Sequence, residues 1–149
     1  MSDPAPIRLI RHSWLALRLR WRLGALQALL DHHSFWARGR QRQELVAMLR
    51  GSQAVVSAWQ GQQLVGFGRA SSDGVFRAVL WDVVVAGEHQ GLGLGRRLVA
   101  ELLACPVVAR AERVYLMTTN SAGFYGRLGF SASHAQHLMV WHRQQQSSG

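Results

Sequence analysis

Three kinds of residue in this chain are placed to do chemistry: alternating glycines, a carboxylate inside an apolar run, and two phenols. Gln90-Gly91-Leu92-Gly93-Leu94-Gly95-Arg96 carries glycine at every second position. Glycines so spaced let the backbone turn tightly and gather N–H groups at one point, where a following helix adds the positive end of its dipole. Such a cradle suits a pyrophosphate. A Walker-type loop needs Gly-Lys-Ser/Thr, and the chain contains no Lys. The dinucleotide fingerprint needs glycines at positions one, three and six; counting from Gly91, the third, Gly95, falls at position five and Arg96 takes position six. The bland alternative is a glycine-rich strand-to-helix connection that binds nothing.

Among 8 carboxylates, Asp82 alone sits inside an apolar stretch, Leu80-Trp81-Asp82-Val83-Val84-Val85. Burial there would raise its pKa toward the range of a general base, acting directly or through a water. Pairing with a buried Arg is the competing reading. Of the 2 tyrosines, Tyr115 lies within an apolar run and reads as packing, which leaves Tyr125 as the free phenol. Asp31-His32-His33-Ser34-Phe35-Trp36 is too aromatic for an idle loop, and a binding surface or a packing plug would each explain it. His32 and His33 read as surface residues or as part of a substrate pocket. No histidine has a carboxylate or cysteine companion at ligand spacing, so no metal site is expected. Cys105 is alone, which excludes an internal disulfide and suggests a small buried residue at a helix end.

The elements that must position these residues are legible as periodicities. Residues 16–23, Ala-Leu-Arg-Leu-Arg-Trp-Arg-Leu, alternate strictly and predict a half-buried strand with Arg18, Arg20 and Arg22 on its solvent face. Residues 24–30 and 41–50 carry helical spacing, the second closed by Gly51. Three strand-like runs follow at 54–60, 63–70 and 75–86, separated by Gly61-Gln62 and Ser71-Ser72-Asp73-Gly74, which is hairpin chemistry. An antiparallel meander is expected, its third strand buried on both faces. The glycine loop then opens a helix over 96–104, followed by a strand at 113–119, a short helix around 121–128 and a last strand at 137–142.

At 149 residues and 48% apolar content the chain fits one soluble domain at 7–143, between a flexible tail at 1–6 and a disordered tail at 144–149. No apolar run reaches the roughly 18 residues of a membrane span. The first residues lack the plan of a secretory or transit peptide, so a cytoplasmic address is expected. The 17 basic residues, all Arg, face 8 acidic ones for a net charge of +9. Guanidinium forks favour phosphate and carboxylate partners, although base composition of the genome would produce the same bias. Nucleic acid is therefore the weaker alternative partner.

Gln90-x-x-Gly93-x-Gly95, followed late in the chain by Phe124-Tyr125-Gly126-Arg127-Leu128-Gly129-Phe130, closely resembles the paired motifs of the GNAT superfamily of N-acetyltransferases. Gly68-Arg69-Ala70-Ser71-Ser72-Asp73-Gly74, the run 80–85 and Tyr115-Leu116-Met117-Thr118-Thr119 resemble its cyanobacterial and plastid branch, associated with serotonin-type arylalkylamines and protein lysines. The resemblance implies a mixed α+β fold with a central, mostly antiparallel sheet of six or seven strands and about four helices. It implies acetyl-CoA as cosubstrate, held by Val83, Val84, Val85 and by Gln90, Gly91, Leu92, Gly93, Leu94, Gly95 and Arg96, with Tyr125 at the position of the acid beside the coenzyme sulfur. Asn120 is a further candidate cofactor ligand, although it stands five residues before Tyr125 where family members often have Asn seven before; helix capping is its other reading. Phe35, Trp36, Trp81 and Asp82 are the expected acceptor wall, for a small amine or a protein lysine, in a monomer or homodimer. A non-catalytic, arginine-rich RNA- or ribosome-binding module on the same fold is the alternative.

Overall fold

The three apolar runs in the middle of the chain form the expected meander. In the computed structural model, which describes residues 3–12 and 16–143, they are β2 (Ala54–Gln60), β3 (Gln63–Ser72) and β4 (Arg77–Val85), each antiparallel to the next. β1 (Ile7–Arg11), which the sequence did not signal, pairs antiparallel with β2, and β5 (Arg113–Leu116) pairs parallel with β4, giving the order β1-β2-β3-β4-β5. Among the described residues the sheet has five strands, not six or seven. The chain divides into two compact units, Met1–Met117 and Thr118–Gly149.

The first unit holds the sheet and the helices α1 (Leu17–Arg20), α2 (Leu23–His33), α3 (Arg42–Arg50), α4 (Leu94–Ala104) and α5 (Pro106–Ala109). With α6 (Ala122–Arg127) in the second unit, the described residues contain six α-helices, more than the four expected. Side chains alternate across a strand. On β3 the even positions Gly66 and Gly68 face α4, whose Leu98 and Leu102 are fully buried against them. The odd positions, Phe67 and Arg69, face the other way, toward the side where α2 packs on β3 and β4. Burying each such large apolar side chain contributes about 1.5–3 kcal/mol.

The strand expected at 16–23 is a correction. Those residues form α1, a turn at Trp21 and Arg22, and the start of α2. Leu19, Leu26 and Leu30 are buried at helical spacing, with Leu23 half-buried between them, and Trp21 is 86% exposed where a strand would have buried it. Leu, Arg and Ala are good helix formers and the segment has no β-branched residue, so the period-two pattern is overridden by a longer helical one. The arginines consequently form no row; the Arg22 guanidinium lies 5.2 Å from the Trp59 ring centre. α2 continues to His33, past the expected end, and Cys105 is buried at the junction of α4 and α5 as expected.

In the second unit α6 is closed by Gly129 at φ 103°, and Phe130 donates its N–H to the Tyr125 carbonyl at 3.1 Å, the six-residue closure of a left-handed helix stop. The strand expected at 137–142 is absent: the segment is irregular, with Leu138, Met139, Val140 and Trp141 all exposed. Its four consecutive apolar residues lack alternation, and no described strand lies within its own unit to pair with it. The tail expected at 144–149 lies outside the described residues.

Candidate active site

β4 is broken where the sequence placed its one carboxylate. Arg69 pairs with Trp81 and Phe67 with Val84, so Gly68 faces both Asp82 and Val83, and Asp82 takes the positive φ of 52°. Two residues against one is a β-bulge, which leaves a ladder group unpaired and turns the strand. Its effect on direction is visible in the contacts. The Trp81 ring and the Asp82 carboxylate, adjacent in sequence, both meet Arg69, at 5.9 Å to the ring centre and 2.8 Å from Nε to Oδ2. Val83 is turned to the opposite face, toward Gly68.

The Asp82 side chain is 4% exposed. Arg40 donates to it twice, Nη1 to Oδ2 at 2.8 Å and Nη2 to Oδ1 at 3.2 Å, and Trp36 Nε1 donates to Oδ1 at 2.9 Å. Burial pushes the Asp82 carboxyl up, but the hydrogen bonds and charges of Arg40 and Arg69 outweigh it and hold the pKa below the ordinary carboxylate value. The expectation of a raised pKa is thereby overturned. A buried aspartate was legible; its two arginine partners, thirteen residues before it and forty-two, were not.

Phe35 and Trp36 occupy the connection 34–41 between α2 and α3, exposed at 59% and 48%, with rings edge to face 5.1 Å apart. Of the two readings of this segment, exposure favours a surface over a plug. His33 is engaged elsewhere: its Nδ1 accepts the Gly87 N–H at 3.0 Å, tying the end of α2 to the 3-10 turn (Gly87–His89) that leads into the glycine loop. His32 and His33 also line a groove of about 510 Å³ between α2 and the start of β3, whose walls carry no carboxylate.

The glycine loop lies at the end of β4. Gln90 folds its Nε2 back onto the Val85 carbonyl at 3.1 Å, Gly91 and Gly93 take φ of 78° and 81°, and α4 begins at Leu94 with Gly93 as its N-cap. The helix therefore starts two residues earlier than its periodicity suggested, and Leu94, buried at 2%, and Gly95 belong to its first turn. No acidic residue stands in that turn, so the helix's own first-turn side chains leave its positive end uncompensated. A Cβ added to Gly91 or Gly93 would enter open space, and Leu92 and Arg96 are exposed beside it. Left-handed glycines that open a helix into free space, with the Arg96 guanidinium exposed beside them, fit the pyrophosphate of a coenzyme.

In the second unit Tyr125 is flanked edge to face by Phe124 at 4.9 Å and Phe130 at 5.9 Å, and burial raises its phenol pKa. The N-cap of α6 is Ser121, not Asn120, whose Oδ1 accepts the Ser121 hydroxyl at 3.3 Å. Among the described residues no three His, Cys, Asp or Glu side chains are grouped to share a metal ion, and no helix is long and apolar enough to cross a membrane.

These features have relatives. The chloroplastic serotonin N-acetyltransferase 2 of Oryza sativa subsp. japonica is 46% identical over 68 residues, 45% of this chain and 34% of that protein. The histone acetyltransferase TAP1 of Glycine max is 34% identical over 119 residues, 72% of this chain and 51% of that protein. Such matches take in about half or less of the length of the curated relatives. Among solved structures, a GNAT-family acetyltransferase of Streptococcus pneumoniae TIGR4 superposes with a TM-score of 0.77 at 22% identity, covering 94% of this chain and all of that one. Residues 11–130 match the acetyltransferase (GNAT) family, and the chain belongs to it.

Proposed function

We propose that the chain is an acetyl-CoA-dependent N-acetyltransferase acting on a primary amine, an arylalkylamine such as serotonin, tryptamine or tyramine before a protein lysine. The observation that carries the cofactor half is the left-handed glycine pair opening α4 directly after a bulged β4. The coenzyme supplies an activated acetyl thioester. The backbone of Val83, Val84 and Val85 runs from the bulge toward the loop, beyond Leu80 where the pairing with β5 ends, so its edge has hydrogen bonds to offer an extended ligand.

The acceptor half rests on the aromatic pair. Phe35 and Trp36 present exposed rings, and Trp36 is bonded to Asp82 at the bulge, so an aryl group stacking there would bring its amine beside β4. The name of the rice relative points the same way, and that of the soybean relative supports the lysine alternative. The role proposed for Tyr125, a hydrogen bond to the departing thiolate, rests on the motif order and on a phenol that stays protonated at neutral pH. For Asn120 no cofactor role is proposed.

Thiol release with acetyl-CoA over serotonin, tryptamine, tyramine and a lysine peptide tests this reading. Saturable turnover with the aryl amines is expected. Turnover of the peptide alone would defeat the arylalkylamine part. Indifference to acetyl-CoA in thermal unfolding, together with salt-sensitive RNA binding, would defeat the enzyme and favour the RNA-binding alternative.

A further inference from the structure

We infer that Asp82 is a positioning residue: its carboxylate clasps the 34–41 loop, with Phe35 and Trp36, onto the β4 bulge, and takes no proton from the amine. The inference rests on the reading that the acceptor binds at this loop.

A carboxylate has about four lone-pair sites for hydrogen bonds. On Asp82 four donors occupy them: Trp36 Nε1, Arg40 Nη1, Arg40 Nη2 and Arg69 Nε. The bidentate approach of Arg40 fixes the plane of the group as well as its place. Arg69 is itself held from below, with Nη1 donating to Ser52 Oγ at 3.3 Å. No site is left for an incoming ammonium.

The loop's other polar anchors run elsewhere. Gly39 N–H donates to Asp31 Oδ1 at 2.9 Å and Gln27 Nε2 to the Arg40 carbonyl at 3.1 Å, both to residues of α2. Arg40 Nη1 also reaches Met48 Sδ on α3. Among the described residues, every side-chain hydrogen bond from 34–41 to the sheet ends on Asp82. The aromatic wall is thus registered against β4 through one carboxylate. That carboxylate faces two guanidiniums, so the cluster carries a surplus positive charge and offers a cationic acceptor no attraction. The acceptor enters as the free amine, deprotonated in solution.

The test combines steady-state kinetics with amide exchange in Asp82→Asn, Arg40→Gln, the double variant and the milder Trp36→Phe, which removes one hydrogen bond and leaves the ion pairs. Expected are a rise of about tenfold in acceptor KM in D82N and in R40Q, a fall in kcat of less than about threefold, and a double variant no worse than either single one. The KM for acetyl-CoA is unchanged, and the acid limb of kcat/KM moves with the pKa of the amine across acceptors, in wild type and D82N alike. Amide exchange over 34–41 quickens in D82N and, to a smaller degree, in W36F. The inference is overturned if D82N loses about 100-fold or more in kcat together with its acid limb while R40Q, which frees a lone pair, keeps its rate. Unchanged exchange over 34–41 in R40Q and W36F also overturns it. Should no amine be acetylated, exchange still decides the clasp, and the failure belongs to the proposed activity.

Discussion

A Cβ built on Gly66 stands 2.9 Å from Leu98 Cδ1 and 3.2 Å from the Ala58 Cβ, so β3 meets α4 with no room for a side chain. Leu98 is fully buried, and the same closeness recurs two residues on, where Gly68 meets Leu102. These contacts set how near α4, and hence the glycine loop at its start, lies to the sheet. Gly66→Ala should overpack the core and cost about 1–3 kcal/mol. Urea unfolding measures it, and adding Leu98→Val should recover part of the loss. An unchanged midpoint in G66A would show that α4 shifts freely.

Gly93→Ala separates backbone strain from ligand contact. At φ 81° an alanine carries about 1–2 kcal/mol of left-handed strain, with no clash to add because nothing lies within 4 Å of its Cβ. That empty space is where a pyrophosphate would sit. Gly74→Ala, in the β3–β4 turn at φ 75°, carries similar strain at the end of β4 opposite the glycine loop. Both variants should unfold at slightly lower temperature, but G93A alone should lose about tenfold or more in acetyl-CoA affinity, read as loss of thermal protection. Equal affinity in the two variants would move the coenzyme away from the loop.

Local chemistry was legible where one short segment decides the outcome. The β2–β3–β4 meander follows from Gly61-Gln62 and Asp73-Gly74 between apolar runs, and the glycine loop from its own spacing. Residues 16–23 were misread because eight residues sample too little of a helix: the burial of Leu19 becomes periodic only with Leu26 and Leu30. The environment of Asp82 was illegible for a different reason. Its charge state depends on Arg40, which comes from a loop, and on Arg69, brought to the same face as Trp81 and Asp82 by a bulge that no local pattern announces.

Tyr125 makes a prediction about pH. Burial raises its phenol pKa above the ordinary value near 10, so the group stays protonated and able to donate throughout a neutral to mildly alkaline assay. Tyr125→Phe should lower kcat by about 10²-fold or more, leaving the acceptor KM and the acid limb of the rate profile in place. A KM effect alone would make the residue a packing element of α6.

His12 should make the fold acid-labile in a defined window. Ser57, with no exposed surface, accepts the Trp59 indole N–H at 2.8 Å and shares a second hydrogen bond, 2.6 Å long, with His12 Nε2. The neutral ring can accept the Ser57 hydroxyl hydrogen at Nε2; protonation makes it a donor only, in a half-buried setting. Burial, and secondarily the charge of Arg18, lower its pKa from 6.5 to about 4. Because the folded pKa is the lower one, the unfolded chain binds the proton first. The stabilisation is complete above pH 6.5 and is lost progressively as pH falls to about 4. It amounts to at most about 3 kcal/mol. Urea unfolding of wild type and His12→Gln should therefore differ in slope against pH, wild type losing stability between pH 6.5 and 5 while the variant, starting lower, stays nearly flat. Parallel slopes in that interval would mean that His12 titrates normally and that its bond to Ser57 does not hold the ring neutral.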